Sequence, residues 1–170
     1  MGLQRGLHGS LFGGARRLLA GGGLALVVLG VSAGAGVANP LTKMSGSWSG
    51  AGEFRLQDGR SERIRCSAHY APRSGASLGL ALRCASAGNR IELRASLVSR
   101  GTRVSGSWEE RSYNASGTVS GVAAGSSLRL AIAGGLNGYM VVTTNGRSQS
   151  ISVRTDTSAL RGVSISLRRN

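Results

Sequence analysis

The sequence predicts an all-β fold, an antiparallel meander of about ten strands closed into a barrel. Short runs in which apolar and polar residues alternate follow each other at even spacing, as half-buried strands do. Turn-forming pairs such as Asp58-Gly59 and Asn145-Gly146 separate these runs, and no segment after residue 38 shows a sustained helical period. Because each run is apolar on one side only, closure around an apolar interior is the simplest solution, and it removes exposed edges. A two-sheet β-sandwich is the alternative.

The predicted elements follow each other without a gap long enough for another domain. The strands are predicted at 46–56, 61–70, 77–86, 90–99, 102–111, 115–123, 126–133, 138–144, 148–155 and 160–168. The strongest hairpin signal is Asn145-Gly146 between MVVTT and QSISV, because tight hairpin turns need positive φ angles that Asn and Gly adopt readily. We therefore expect a short leader at 39–45 and a single all-β domain at 46–170.

The predicted hairpin at residues 60–86 contains both cysteines of the chain. Cys66 and Cys84 are equally far from Gly75, so a hairpin folded about Gly75 places them opposite each other on its apolar face. Directly opposed residues can have Cα atoms about 4.5 Å apart, a separation that a disulfide tolerates. The pattern predicts a Cys66–Cys84 disulfide, and two reduced, buried cysteines are the alternative.

Residues 1–38 are predicted to be an export signal peptide. They contain no acidic residue, and a basic start is followed by an apolar run at 18–31 and then by small residues suited to cleavage. A membrane anchor is the competing interpretation, but the run has 14 residues, whereas a spanning helix needs about 20. We expect a periplasmic or secreted protein, and such compartments favour disulfides.

The chain after residue 38 is strongly basic. Of the 21 Lys and Arg residues, three lie in the predicted signal, which leaves 18 against seven acidic residues and a net charge of +11. This balance favours polyanionic partners, namely lipopolysaccharide, acidic glycan or anionic lipid head groups. Nucleic acid is not expected, because the few aromatic residues offer little for base stacking. The alternative is that the arginines form a solvated face without a partner.

Five arginines are predicted to form a basic stripe across the outer face of the second, third and fourth strands. Like charges on neighbouring strands cost stability, so an anionic partner would relieve their repulsion. The alternative is that Glu62 and Glu92 neutralise the stripe. The anion-binding residues predicted in this way are Arg63, Arg65, Arg83, Arg90 and Arg94.

The first strand opens with Gly46-Ser47-Trp48, which resembles the Gly-x-Trp of lipocalin and fatty-acid-binding (calycin) barrels. The resemblance implies that Trp48 packs across the bottom of the barrel and that an arginine of the last strand, Arg161 or Arg168, is its partner. It also implies a small apolar ligand inside the barrel. Gly106-Ser107-Trp108 repeats the tripeptide, and Trp108 is predicted to be the second core aromatic. A narrow barrel filled by its own side chains is the alternative.

The whole chain also resembles small exported proteins of alphaproteobacteria that have no assigned activity. This resemblance implies a periplasmic or secreted protein and supplies no catalytic residues. The stretches that show it are GSWSGAGEFRL, ERIRCSAHY, LRCAS, VSGSWEE and VSISLRR.

No catalytic, metal or cofactor site is predicted. His69 is the only histidine after residue 38 and lies on the predicted polar face, whereas a metal site or a Ser/His pair needs convergent partners. Glu109 and Glu110 face opposite ways on a strand, so each is expected to be an exposed partner for arginine. We expect a non-enzymatic exported barrel that binds an anionic envelope component through its arginine face. The alternative is a carrier of a small apolar ligand inside a calycin-like barrel.

Overall fold

The structure, a computed structural model, describes residues 39–156 and 160–170. The predicted signal peptide at 1–38 and residues 157–159 of the last predicted turn lie outside this range. A short 3-10 helix, η1 (Pro40–Met44), precedes ten strands. The strands are β1 (Gly46–Leu56), β2 (Ser61–Pro72), β3 (Ser77–Ala85), β4 (Arg90–Arg100), β5 (Arg103–Glu110), β6 (Ala115–Ala124), β7 (Ser127–Gly134), β8 (Gly138–Asn145), β9 (Ser148–Thr155) and β10 (Leu160–Arg169).

The ten strands form one closed barrel. Each strand pairs antiparallel with its neighbours in the chain, and β1 pairs with β10 to complete the ring. The predicted meander and its closure are confirmed, with strand ends shifted by no more than two residues, and the β-sandwich alternative is wrong. Closure leaves no strand edge unpaired, which is the usual gain from this architecture.

The alternation seen in the sequence sorts side chains between the inside and the outside of the barrel. On β2, Ile64, Cys66, Ala68 and Tyr70 are buried, while the residues between them are exposed. The same pattern on the other strands builds one continuous apolar core inside the ring. An outer-membrane barrel has the opposite arrangement, with apolar residues outward and polar residues in the lumen.

Several inward positions hold glycine because the neighbouring backbone occupies the space of a side chain. A Cβ atom at Gly50 would lie 2.0 Å from the carbonyl oxygen of Ser166, and one at Gly117 would lie 1.9 Å from that of Ala133. Glycines inside strands commonly mark the sharp bends at which a sheet turns a barrel corner. The glycine-rich composition therefore serves the curvature of this barrel.

The disulfide between Cys66 and Cys84 is present, with a Cα–Cα distance of 4.1 Å. The two residues are direct partners in the β2–β3 register, as the mirror spacing predicts. The β8–β9 hairpin is also confirmed, but its turn lies one residue further on than the Asn-Gly pair suggests. Asn145 pairs with Ser148, so Gly146 and Arg147 form the turn, and Gly146 has the positive φ of 57°.

The two ends of the barrel differ. At one end, which we call the closed end, η1 packs against β3 and β6 and buries Leu41 and Met44. The side chain of Asn39 caps η1 by accepting from the N–H of Leu41, and it also accepts from the hydroxyl of Ser99 on β4. The opposite end, the open end, consists of the β1–β2, β3–β4, β5–β6 and β7–β8 turns together with the end of β9 and the start of β10.

Candidate functional site

Contacts of Trp48 and Arg169 join the first strand, the last strand and η1 at the closed end. Trp48 is fully buried, and its indole N–H donates to the carbonyl of Met44 at 2.8 Å. The guanidinium carbon of Arg169 lies 4.4 Å from the centroid of the Trp48 ring. Arg169 also donates to the carbonyls of Lys43, at 2.7 Å, and of Ser45. One arginine thus joins β1, β10 and η1.

The arginine partner of Trp48 is Arg169, and the expectation of Arg161 or Arg168 is wrong. Trp48 pairs with Arg169 in the β1–β10 register, and Arg169 has the same inward parity as Leu167. Arg168 therefore points outward and is exposed, and Arg161 is the extra residue of a bulge at the other end of β10. Continuing the inward alternation of β10 by one more step would have identified Arg169.

A chain of buried polar side chains crosses the interior near the closed end. The Tyr70 hydroxyl donates to Gln149 Oε1 at 2.9 Å, and Gln149 Nε2 donates to the Thr144 hydroxyl at 3.0 Å. Burial raises the pKa of Tyr70, so the phenol stays a neutral donor. Gln149 was not predicted from the sequence, although it shares the parity of the inward Ile151. These side chains satisfy each other's hydrogen bonds, so they offer few free donors or acceptors to a ligand at this end.

Towards the open end, many inward-facing apolar side chains are only partly buried, although Phe54, Ile64 and Cys84 are buried there. The side chains packed inside the closed-end half, such as Leu97, Leu128 and Leu167, are almost fully covered. The partly buried apolar side chains are thus more frequent at the open end than at the closed end. The partly buried apolar residues concentrate on the open-end parts of their strands and include Ile91, Leu93, Ala115, Ile132, Leu136, Met140, Val153, Leu160 and Val163.

Trp108 stands at the boundary between the covered and the accessible interior. It faces inward on β5 and is 9% exposed, and its ring lies over Gly117 on β6, with Nε1 2.9 Å from the place of a Gly117 Cβ. Its Nε1 is buried without a hydrogen-bond partner among the described residues. Buried indole N–H groups normally find an acceptor, so this unpartnered donor is an exception inside the barrel.

Glu110 is buried, which corrects the expectation that it is an exposed partner for arginine. Its carboxylate accepts from the backbone N–H groups of Glu92 at 2.8 Å, Ser112 at 3.1 Å and Tyr113 at 2.6 Å. Burial raises the pKa of Glu110, but these backbone donors outweigh burial, and the pKa lies below its ordinary value. Glu110 therefore organises the β5–β6 turn. Glu109 points outward, with Oε1 3.9 Å from Nε of Arg111.

The five arginines of the predicted stripe all point outward and are exposed: Arg63, Arg65, Arg83, Arg90 and Arg94. Three glutamates lie directly opposite three of them in the strand register. The pairs are Arg63 with Glu53, Arg83 with Glu92 and Arg94 with Glu109.

No member of this arginine stripe forms an ion pair within 4.0 Å among residues 39–156 and 160–170. Glu62 turns to Asn89, whose Nδ2 lies 2.6 Å from its Oε2. The stripe is thus interleaved with acids, and its binding of an anion stays a prediction.

Hydroxyl groups and one arginine line an open groove of about 680 Å³ on the outer wall near the closed end. Its outward-facing lining includes Ser49, Thr143, Ser148, Ser166 and Arg168. Most of its lining residues carry a hydroxyl, amide or guanidinium group, and these groups can hydrogen-bond a polar ligand. Of these residues, only Arg168 was singled out by sequence, and it was expected to contact Trp48 instead.

His69 is exposed, and its Nδ1 lies 3.0 Å from the hydroxyl of Ser47. In the part of the chain that the structure describes, no three His, Cys, Asp or Glu side chains come together as a metal site would require. Within the same residues, no helix has the length and apolar composition that crossing a membrane requires.

No protein-family model and no curated protein matches the chain. Among solved structures, Rv2717c from M. tuberculosis has 16% sequence identity and a TM-score of 0.64, over 80% of this chain and 98% of its own. Two redesigned barrels, mFAP1 and EF1p2_mFAP2b, both bound to DFHBI, have 12% identity and TM-scores of 0.48 and 0.49. They align over 78% and 79% of this chain and 100% and 99% of their own. The chain is therefore similar in fold to the mycobacterial barrel.

Proposed function

We propose that the protein is an exported, non-enzymatic carrier that binds a small apolar ligand inside the barrel. The supporting observation is the group of inward-facing apolar side chains that are only partly buried, most of them toward the open end, while η1 packs across the other end. A concave apolar space with few polar groups is typical of small-molecule sites, and the mouth of a barrel is a common place for one.

Trp108 narrows the chemistry of the ligand. A buried indole N–H without a partner is costly, and an acceptor on the ligand would remove that cost. The proposed ligand is therefore an apolar molecule with one oxygen acceptor, such as a carbonyl, ester or carboxylic acid group. Its apolar part would contact the partly exposed side chains of β4 and of β7 to β10.

Export is supported by the sequence of residues 1–38 and by the Cys66–Cys84 disulfide. Disulfides persist in oxidising compartments and are rare in the cytosol. The proposed location is accordingly the bacterial periplasm or the medium.

The first experiment is native mass spectrometry of the protein purified from the periplasm. We expect the additional mass of a bound ligand, which survives desalting and is released when the protein unfolds. Ala95→Trp would fill the interior beside Trp108, because Ala95 faces inward and pairs with it. Its matched control is Ala81→Trp, which adds the same side chain at an exposed outward position of the adjacent strand.

We expect A81W to retain the ligand and A95W to lose it while keeping the disulfide and the strand content. Trp108→Phe, which removes the N–H and little volume, should weaken rebinding of the released ligand about tenfold, the value of one hydrogen bond to a buried group. A bare wild-type mass, or equal loading of folded A95W and A81W, would refute an interior site.

A further inference from the structure

The charges of the barrel are segregated along its axis. Every acidic side chain lies on the open-end half of a strand or on an open-end turn: Glu53, Asp58, Glu62, Glu92, Glu109, Glu110 and Asp156. The three ion pairs found among the described residues, Arg55–Glu53, Arg60–Asp58 and Arg111–Glu109, also lie there. The open-end half is thus largely self-compensated.

The closed end has basic side chains and no acidic side chain among the described residues. Six exposed cations lie on η1, on three closed-end turns and at the end of β10, so they surround η1 on several sides. We call them the closed-end ring: Lys43, Arg73, Arg100, Arg103, Arg147 and Arg168. Arg169 is not counted, because it is engaged with Trp48 and two backbone carbonyls.

We propose that the closed end docks onto the surface of an anionic lipid bilayer. The six cations belong to separate turns spread around one end of a barrel, which matches a planar anionic surface better than a single linear polyanion. Each basic residue near such a surface strengthens binding by about fivefold. The hydroxyl-lined groove beside Arg168 opens at the edge of this face and offers hydrogen bonds to lipid head groups.

The described chain begins at the closed end, where η1 precedes β1. Docking by the closed end would leave the open end facing away from the lipid, where a ligand can enter.

The test is sedimentation of the protein purified from the periplasm with vesicles of phosphatidylcholine containing about one-third phosphatidylglycerol, with pure phosphatidylcholine as the neutral control. The closed-end variant combines Arg100→Ser, Arg103→Ser, Arg147→Ser and Arg168→Ser. The matched control combines Arg63→Ser, Arg65→Ser, Arg83→Ser and Arg94→Ser. Both variants lose four arginines and keep the same net charge, so they differ only in where charge was removed.

We expect wild type and the control variant to bind the anionic vesicles, and their affinity should fall steeply between about 0.1 M and 0.5 M salt. The closed-end variant should bind at least about a hundredfold more weakly, and lysine at its four positions should restore binding. Equal losses in both variants, or a larger loss in the control, would overturn the proposal. So would tight binding of heparin or duplex DNA by a wild type that ignores the anionic vesicles.

Discussion

The guanidinium carbon of Arg169 lies 4.4 Å from the centroid of the Trp48 ring, at the seam where the last strand meets the first. The same guanidinium group donates to the backbone carbonyls of Lys43 and Ser45, which flank the end of η1. This contact closes the ring of strands and fixes the helix across its end. A single side chain therefore combines a cation–π contact with two charge-assisted hydrogen bonds.

Replacement of Arg169 by alanine should destabilise the fold by about 2–4 kcal/mol, because it removes these contacts and leaves two carbonyls without their donor. Arg168→Ala is the control, since Arg168 is the exposed neighbour on the outer face of β10. Urea unfolding followed by tryptophan fluorescence gives both free energies. A similar small loss of unfolding free energy in the two variants would contradict the role assigned to the Arg169–Trp48 contact.

Removal of the disulfide by the combined change Cys66→Ala and Cys84→Ala should lower the free energy of unfolding by about 3 kcal/mol. The bond links residues 18 apart, and closing a loop of that length restricts the unfolded chain by about this amount. Thermal unfolding with and without a reductant provides the measurement. The reductant should destabilise wild type only, and an effect on the double variant would show that something other than this bond is responsible.

Gly117→Ala should destabilise the barrel by more than about 2 kcal/mol, because the new methyl group would meet backbone that cannot move aside. Its Cβ would lie 1.9 Å from the Ala133 carbonyl oxygen and 2.9 Å from Nε1 of Trp108. Gly88→Ala is the control, since the nearest atom there is the flexible carboxylate of Glu62 at 3.8 Å. Chemical unfolding of both variants decides the matter, and a G117A protein as stable as G88A would count against the observed packing.

Glu110→Gln should reduce stability at neutral pH, and the difference from wild type should shrink as the pH falls below 4.5, the ordinary pKa of a glutamate. The folded pKa of Glu110 lies below that value, so the unfolded state binds more protons in this window. The stabilisation by the carboxylate is therefore complete above pH 4.5 and is lost as the pH falls through the folded pKa.

Urea unfolding of wild type and E110Q at pH 7 and at about pH 3 measures this change. Glu109→Gln is the matched control, because it removes the exposed carboxylate of the adjacent residue. Hydrogen bonds from Arg60 also lower the pKa of Asp58, but this group is present in all three proteins and cancels in the comparison. A pH-independent difference between E110Q and wild type would contradict the assigned role.

The sequence by itself determined the strands, the order in which they pair and the disulfide. These features depend on local information, namely the two-residue alternation, the turn residues and the mirror spacing of Cys66 and Cys84 about Gly75. In a meander each strand pairs with its neighbour, so local signals are enough to predict most of the topology.

Only the tertiary structure decided which groups meet across the barrel. The partner of Trp48 is 121 residues away, and a shift of one position separates the inward Arg169 from the outward Arg168. The burial of Glu110, the unpartnered indole of Trp108 and the separation of charge between the two ends likewise depend on closure and register. A periodic pattern shows that a strand has two faces, but the closed ring determines what each face contacts.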